Sequence, residues 1–481
     1  MSVLVIDIGT SGVRAALVDR DGSVRAEHYL EALPDSPAQG IVEFDAAAYG
    51  EAALSVARAS LAEAPGGVAG VGITNQRASA IVWDRATGEP VAPAQGWQDL
   101  RTVGDCLVMA AEGYRFAPNQ TATKVANILD TVDPDRTRDL CVGTPDTWLI
   151  WLLTEGAVHV TDATNAGVTG LMRPDQTGWD ERVLERLRIP AAAMPAIVDS
   201  SAVVGTATVL DGAPAIAGIA GDQQASLIGQ GGVTAGLAKI TFGTGAMLDV
   251  CLGPDAPVRS ARGPAGTFPI VCWRRDGVTM WGAEAIMLSA GTNVQWLRDD
   301  LGIIDSSADS AAVAQQCDTT DGVVYVPAQM GLGTPHWDYG ARGALFGLTR
   351  GSGRAHVVRA VLEGVAHRGA DLVDAIEADH DITLDTLRVD GGMCENPVFC
   401  QALADATQRR VEVAPQKEAT VVGAAALAGL ALGIHEDWDD VAAIWKPSAV
   451  YEPGEPLDRA QWARAVERAG HWYEDLSALD F

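Results

Sequence analysis

The feature that most constrains the fold of this chain is a unit that occurs twice. Near the start, an apolar run at 3–6 leads through Asp7-Ile8 into the turn Gly9-Thr10-Ser11-Gly12, and a second apolar run follows at 15–18. In the middle, the run 237–241 leads into Gly243-Thr244-Gly245, and another follows at 247–252. Short apolar runs bounded by small turn residues read as buried strands. Each half of the chain therefore opens on strand, Gly-Thr turn, strand, and the repetition predicts a structural duplication. A third unit, 387–390, runs into Gly391-Gly392 and a helical stretch at 396–408. Helical patterns also fall at 46–62, at 421–433 (buried) and at 459–476 (a surface helix), and a strand at 68–73. Strands mixed with helices in two similar halves predict an α/β protein with two domains around a cleft, 1–234 and 235–481. Ligands in such folds sit at strand ends and between the domains.

Composition removes several function classes. Apolar residues make up 48 % of the 481 and charged residues 20 %, which suits two large cores. A formal net charge of −29 with no basic cluster argues against nucleic-acid and anionic-membrane partners. It does not argue against ATP, whose phosphates are held locally by backbone amides and a cation. The seven cysteines are scattered and form no C-x-x-C, which predicts a reducing cytoplasm rather than a disulfide framework or zinc site. The first residues lack the basic n-region of a signal peptide. No apolar stretch reaches the roughly 18 residues that a membrane span needs.

Five clusters can carry chemistry. In Asp7-Ile8-Gly9-Thr10-Ser11 an acid ends a strand beside small residues, so hydroxyls and N–H groups can cradle phosphate while the carboxylate holds Mg²⁺. In Gly221-Asp222-Gln223-Gln224 the carboxylate can take a proton from a hydroxyl and the glutamines can bond others. Gly243-Thr244-Gly245 offers a second phosphate clamp. Asp390-Gly391-Gly392 with Asn396 offers close backbone approach for a flat base. Asn75-Gln76-Arg77 with Trp97-Gln98-Asp99 suits a polyol, through planar hydrogen-bonding groups and an indole over a C–H face. Each cluster alone also fits a plain turn, a core tryptophan or a surface charge; their order across two duplicated halves is what points to phosphoryl transfer.

With these residues in hand, the chain resembles the FGGY carbohydrate kinases, and within them the glycerol kinases, nearly end to end. The resemblance is carried by Asp7-Ile8-Gly9-Thr10-Ser11, Gly72-Ile73-Thr74-Asn75-Gln76-Arg77, Thr123-Lys124, Asp146-Thr147-Trp148, Gly221-Asp222-Gln223-Gln224, Phe242-Gly243-Thr244-Gly245, Gln295-Trp296-Leu297-Arg298-Asp299 and Arg388-Val389-Asp390-Gly391-Gly392. It implies two duplicated actin-like, ribonuclease H-like ATPase domains and ATP-dependent phosphorylation of a hydroxyl of a small polyol or sugar. It further implies Asp222 as general base, with Asp7 and Asp222 toward Mg²⁺. Thr10, Ser11, Arg14, Thr244 and Gly245 would face the phosphates, and Gly291, Gln295, Gly392 and Asn396 the rest of ATP. Arg77, Trp97, Asp222 and Gln223 would surround the polyol. Homologous kinases often form dimers, and a homodimer is expected here.

Two positions depart from the glycerol kinase pattern: Ala78 stands where a glutamate is usual, and Asn119 aligns with a usual tyrosine. Both changes fall in the substrate pocket and point to a bulkier or longer acceptor, such as a longer polyol or a ketose in the manner of xylulokinases, while glycerol held through Arg77, Asp222 and Gln223 stands beside it as an equal expectation. An actin-like ATPase or chaperone on the same fold, or a silent sugar sensor, is the alternative from other classes; Asp7 and Asp222 together weigh against the sensor.

Overall fold

The computed structural model describes residues 1–257, 262–415 and 418–479. Two sheets of matching plan organise the molecule. The first contains β1 (Val3–Ile8), β2 (Gly12–Val18), β3 (Val24–Glu31), β4 (Gly70–Asn75), β5 (Ser201–Thr206) and β6 (Ala215–Gly221), in the order β5-β6-β4-β1-β2-β3. The second contains β7 (Ala238–Phe242), β8 (Ala246–Gly253), β9 (Phe268–Arg275), β10 (Val278–Met287), β11 (Thr386–Asp390), β12 (Arg410–Val413) and β13 (Ala449–Tyr451), in the order β9-β10-β8-β7-β11-β12-β13. In each, the opening strand is central. Antiparallel hairpins run to one side of it; two parallel strands and an antiparallel edge run to the other.

The duplication expected from the two Gly-Thr units is thus present in the strand order, and the mixed α/β class with it. The strand expected at 68–73 lies at Gly70–Asn75, and the helix expected at 396–408 at Pro397–Thr407. The tail helix is a correction. It is interrupted: one helix runs over Arg459–Ala469, where Gly470 caps it, and a short second one over Glu474–Ser477, and the first buries Trp462 rather than lying wholly on the surface.

Helices cover both sheets and fill the space between them. Helices α1 (Ala46–Ala62) and α2 (Pro145–Leu153) pack outside the first sheet; α4 (Arg354–His380) and α5 (Pro397–Thr407) pack outside the second. Between the sheets lie α3 (Asp222–Gly229) and α6 (Ala419–Ala431). Strand β1 is accordingly apolar on both sides. Leu4 and Ile6 face α1, while Val3 and Val5 face α6. That is why it reads as a continuous run rather than an alternation.

The two middle helices cross in close contact. A Cβ added at Gly229 would sit 1.9 Å from the Ala419 carbonyl oxygen, and one at Gly423 would sit 1.8 Å from that of Ala225. Side-chain-free positions on both partners bring the helix axes together and set the spacing of the two sheets. Residues from 80 to 194 build a further apolar cluster, around Val82, Val125, Leu129 and Leu171, that flanks the first sheet. Among the described residues, no helix is long and apolar enough to cross a membrane.

Candidate active site

The strand ends bring the first cluster together. β1, β4 and β6 are parallel and in register, with Ile8 beside Asn75 and Asn75 beside Gly221. Asp7, Arg77 and Asp222 therefore emerge at one end of the sheet, Asp222 as the first residue of α3. Asn75 and Asn165 exchange amide hydrogen bonds of 3.0 and 3.1 Å, which fixes the end of β4 where the chain turns toward Arg77. Gln76 donates to the Gly9 carbonyl at 3.3 Å, joining the same turn to the one between β1 and β2.

Arg77 is the centre of the charge network. Its Nε lies 3.4 Å from Asp222 Oδ1, one amine donates to Glu284 Oε2 at 2.6 Å, and the other reaches Gln224 Oε1 at 3.5 Å. Glu284 belongs to β10 of the second sheet, so this contact spans the two halves. Burial pushes the Asp222 carboxyl above the usual aspartate range, against the lowering effect of Arg77. Burial likewise pushes Asp7 up to about 7, partly offset by Arg14 and reinforced by Asp222. Glu284 rises to about 7 through burial and its neighbour Asp249, against Arg77.

Of the four expected acceptor residues, Arg77 and Asp222 are in direct contact, Gln223 follows Asp222 on α3, and Trp97 stands at the Thr10 turn. Trp97 donates from Nε1 to Thr10 Oγ1 at 3.0 Å, and its backbone N–H donates to Ser79 Oγ at 3.1 Å. Trp97 thus joins the Thr10 turn to the loop after β4. Gln223 follows Asp222 and its side-chain oxygen accepts from Lys239 at 2.6 Å. Gln224 is different: it is fully buried and turned to Arg77. Asp99 lies outside the cluster, enclosed by Val42 N–H and the Arg101 guanidinium. At the two departures, Ala78 adopts a left-handed φ of 62°, and the buried Lys124 ammonium donates to the carbonyls of Ala78 (3.4 Å) and Asn119 (2.8 Å).

The second cluster lies at the corresponding end of the second sheet. Ala290 N–H donates to the Thr244 carbonyl at 2.8 Å and Gly291 N–H to the Gly243 carbonyl at 2.8 Å. Gly391 has a φ of 94°, and a Cβ there would sit 2.3 Å from the Phe242 carbonyl oxygen, so only glycine fits. The three turns holding Thr244 and Gly245, Gly291, and Gly392 are therefore packed edge to edge. Gly243, Thr244 and Gly392 are exposed, and a Cβ at Gly392 would meet nothing within 4 Å. Gln295 is exposed on the helix that Gly291 opens.

Two expected nucleotide residues already have protein partners. Asn396 caps α5, accepting from Val398 and Phe399 N–H, and donates to Ser310 Oγ at 3.0 Å. Arg14 pairs with Glu27 and with Glu418 at the start of α6, so reaching a phosphate requires exchanging one of these partners. Ser11 is exposed at the first turn. Sequence reasoning missed Glu284, Lys239 and Asp249. The available signal was a charge inside each of three otherwise apolar strands.

Family models for the two halves of one enzyme family match the chain: the N-terminal domain of the FGGY family of carbohydrate kinases over residues 2–229 and its C-terminal domain over 238–432. The chain belongs to the FGGY family of carbohydrate kinases. This FGGY kinase is 42 % identical to the glycerol kinase of Aromatoleum aromaticum, covering 98 % of this chain and 99 % of that one. It is 40 % identical to glycerol kinase 2 of Thermotoga maritima with the same coverage. Its fold superposes on Plasmodium falciparum glycerol kinase with ADP at a TM-score of 0.90, 29 % identity, covering 97 % and 98 % of the two chains. It superposes on a xylulose kinase of Lactobacillus acidophilus at 0.86 and 20 % identity, covering 99 % and 98 %, a likeness of fold alone. The kinase is thus a two-domain α/β enzyme of actin-like plan that phosphorylates a small polyol or sugar.

The residues present fit Mg²⁺. Asp7 and Asp222 are hard oxygen donors of the kind that would hold it, and burial is the main cause that raises both carboxyls, so a bound cation would offset the cost of their ionised forms. Among the described residues no group of three or more metal-binding side chains is found. Mg²⁺ in phosphoryl-transfer sites takes one or two carboxylates together with substrate phosphates, which suits this sparse set.

Proposed function

We propose that the chain transfers the γ-phosphoryl group of ATP to a hydroxyl of glycerol or a related small polyol, with Asp222 as the general base. The observation that carries this reading is the convergence of Asp222, Arg77 and Gln223 at the strand ends beside Asp7 and the Thr10 turn. Asp222 accepts the proton of the acceptor hydroxyl as that oxygen bonds to phosphorus and the bond to ADP breaks. Its raised pKa makes it the stronger base for that step. Arg77 and Gln223 orient the acceptor and Trp97 covers its C–H face. Thr10, Ser11, Thr244 and Gly245 line the two phosphate turns; Gly291, Gln295 and Gly392 flank the base. Mg²⁺, held by Asp7 and Asp222, would neutralise phosphate charge. Both polyol kinases and ketose kinases use this frame; the full-length identity to glycerol kinases supports glycerol, while Ala78 and Asn119 support a longer acceptor. The seven cysteines are free, as suits an enzyme working in the cytoplasm.

The test is Mg-ATP consumption with glycerol, erythritol, threitol, xylitol, xylulose, ribulose and gluconate. A single strongly preferred polyol is the expected result. ATP hydrolysis indifferent to every acceptor would instead favour an actin-like ATPase.

A further inference from the structure

Lys239, Asp249 and Glu284 stand side by side on β7, β8 and β10, each opposite the next in the strand register. Lys239 and Asp249 are wholly buried. The row faces the first half of the molecule, since Glu284 meets Arg77 and Lys239 meets Gln223. The Lys239 ammonium donates to Gln223 Oε1 at 2.6 Å and to Thr241 Oγ1 at 2.9 Å, and lies 2.8 Å from Asp249 Oδ2. That last contact is an ion pair without hydrogen-bond direction, for neither Asp249 oxygen accepts a well-aligned bond among the described residues. Asp249 thus balances the ammonium's charge, while the directed bonds go to Gln223 and Thr241.

An ammonium has donors and no acceptor, so the Gln223 atom facing it is the carbonyl oxygen. The amide's NH₂ is then the group left to offer, and no acceptor takes it among the described residues. We propose that Lys239, balanced by Asp249, is a positioning residue that fixes Gln223 as a hydrogen-bond donor to an oxygen of the acceptor, next to the base Asp222. This rests on the acceptor being a polyol or sugar bound beside Asp222. Lys239 also lies on the strand that runs into Gly243-Thr244-Gly245, so the second half of the molecule holds a substrate contact belonging to the first.

Lys239 alone cannot be removed cleanly, because Asp249 would be left as an unpaired buried charge. The test is the charge-neutral pair Lys239→Met with Asp249→Leu, compared with wild type for acceptor KM, ATP KM and kcat on the same acceptors. The expected result is an acceptor KM raised roughly tenfold, the usual scale for one lost hydrogen bond, with ATP KM changed less than about twofold. Adding Gln223→Ala to the pair should then cost nothing further. Should that pair not fold, Lys239→Gln with Asp249→Asn is read the same way: its neutral amide lets Gln223 turn over, and acceptor KM rises. A folded pair with unchanged acceptor KM, or a full additional loss on adding Gln223→Ala, overturns the role of Lys239. Wild type that phosphorylates no acceptor overturns the reading on which it rests.

Discussion

Arg77 and Glu284 sit 207 residues apart in sequence and 2.6 Å apart in space, on the two halves of the molecule, with side chains 12 % and 8 % exposed. The pair holds Arg77, the arginine proposed to bind the acceptor, from the far side, leaving its Nε toward Asp222. Breaking a buried pair by removing one partner typically costs about 3–5 kcal/mol, because the other is left uncompensated. Arg77→Ala is expected to lower stability on that scale and raise acceptor KM. Glu284→Gln, which keeps an acceptor atom, should cost less in both. Urea unfolding and steady-state kinetics on the two variants check the order.

Asp222→Asn removes the proposed base with almost no change in the size of the side chain. ATP binding, followed by calorimetry, should stay near wild type while kcat falls by roughly 10²–10⁴-fold. Near-normal turnover would take the general-base role from Asp222.

Asp7 and Glu284 both carry folded pKa values of about 7, well above their unfolded values. Between roughly pH 4 and 7 the folded state therefore binds more protons than the unfolded state, so stability falls as pH rises through this window and levels off above it. On the proposed reading, Mg-ATP binding next to Asp7 would compensate its charge. The rise in melting temperature on adding Mg-ATP should therefore be larger at pH 8 than at pH 5.5. An equal rise at both would separate Asp7 from the metal.

Gly229 and Gly423 mark the crossing of the two middle helices, where an added methyl meets a backbone carbonyl. Backbone cannot give way as a flexible side chain can, so Gly229→Ala should destabilise by about 1–3 kcal/mol. It should also shift the two sheets relative to each other and depress kcat. Thermal melts with kinetics on the soluble variant test this, and a neutral outcome would mean the crossing relaxes freely.

Burial pushes the Lys124 ammonium down to about 7. Its bonds to the Ala78 and Asn119 carbonyls tie together the two loops where this chain departs from the glycerol kinase pattern. Lys124→Met should leave both carbonyls unpaired, loosen the pocket wall and flatten the preference among polyols of different length. An unchanged acceptor profile would place specificity elsewhere.

The sequence by itself determined the duplicated strand–turn–strand units, because apolar runs and Gly-Thr turns are local signals set by backbone and burial preferences of neighbouring residues; the strand order of the two sheets came from the tertiary structure. It also determined that Asp7, Asp222 and the glycine turns lie at strand ends, since a carboxylate or glycine there is visible in a few consecutive residues. The break in the tail helix was less legible: the helical pattern continues past Ala469, but Gly470 and the bond from His471 N–H to Asp338 interrupt it before a short helix resumes at Glu474–Ser477. Only the tertiary structure decided that Gln223 faces Lys239 while Gln224 turns to Arg77, and that Glu284 holds Arg77. Those contacts join residues from different halves of the chain. Their energies depend on distance and burial after the sheets have packed, and no local pattern encodes either.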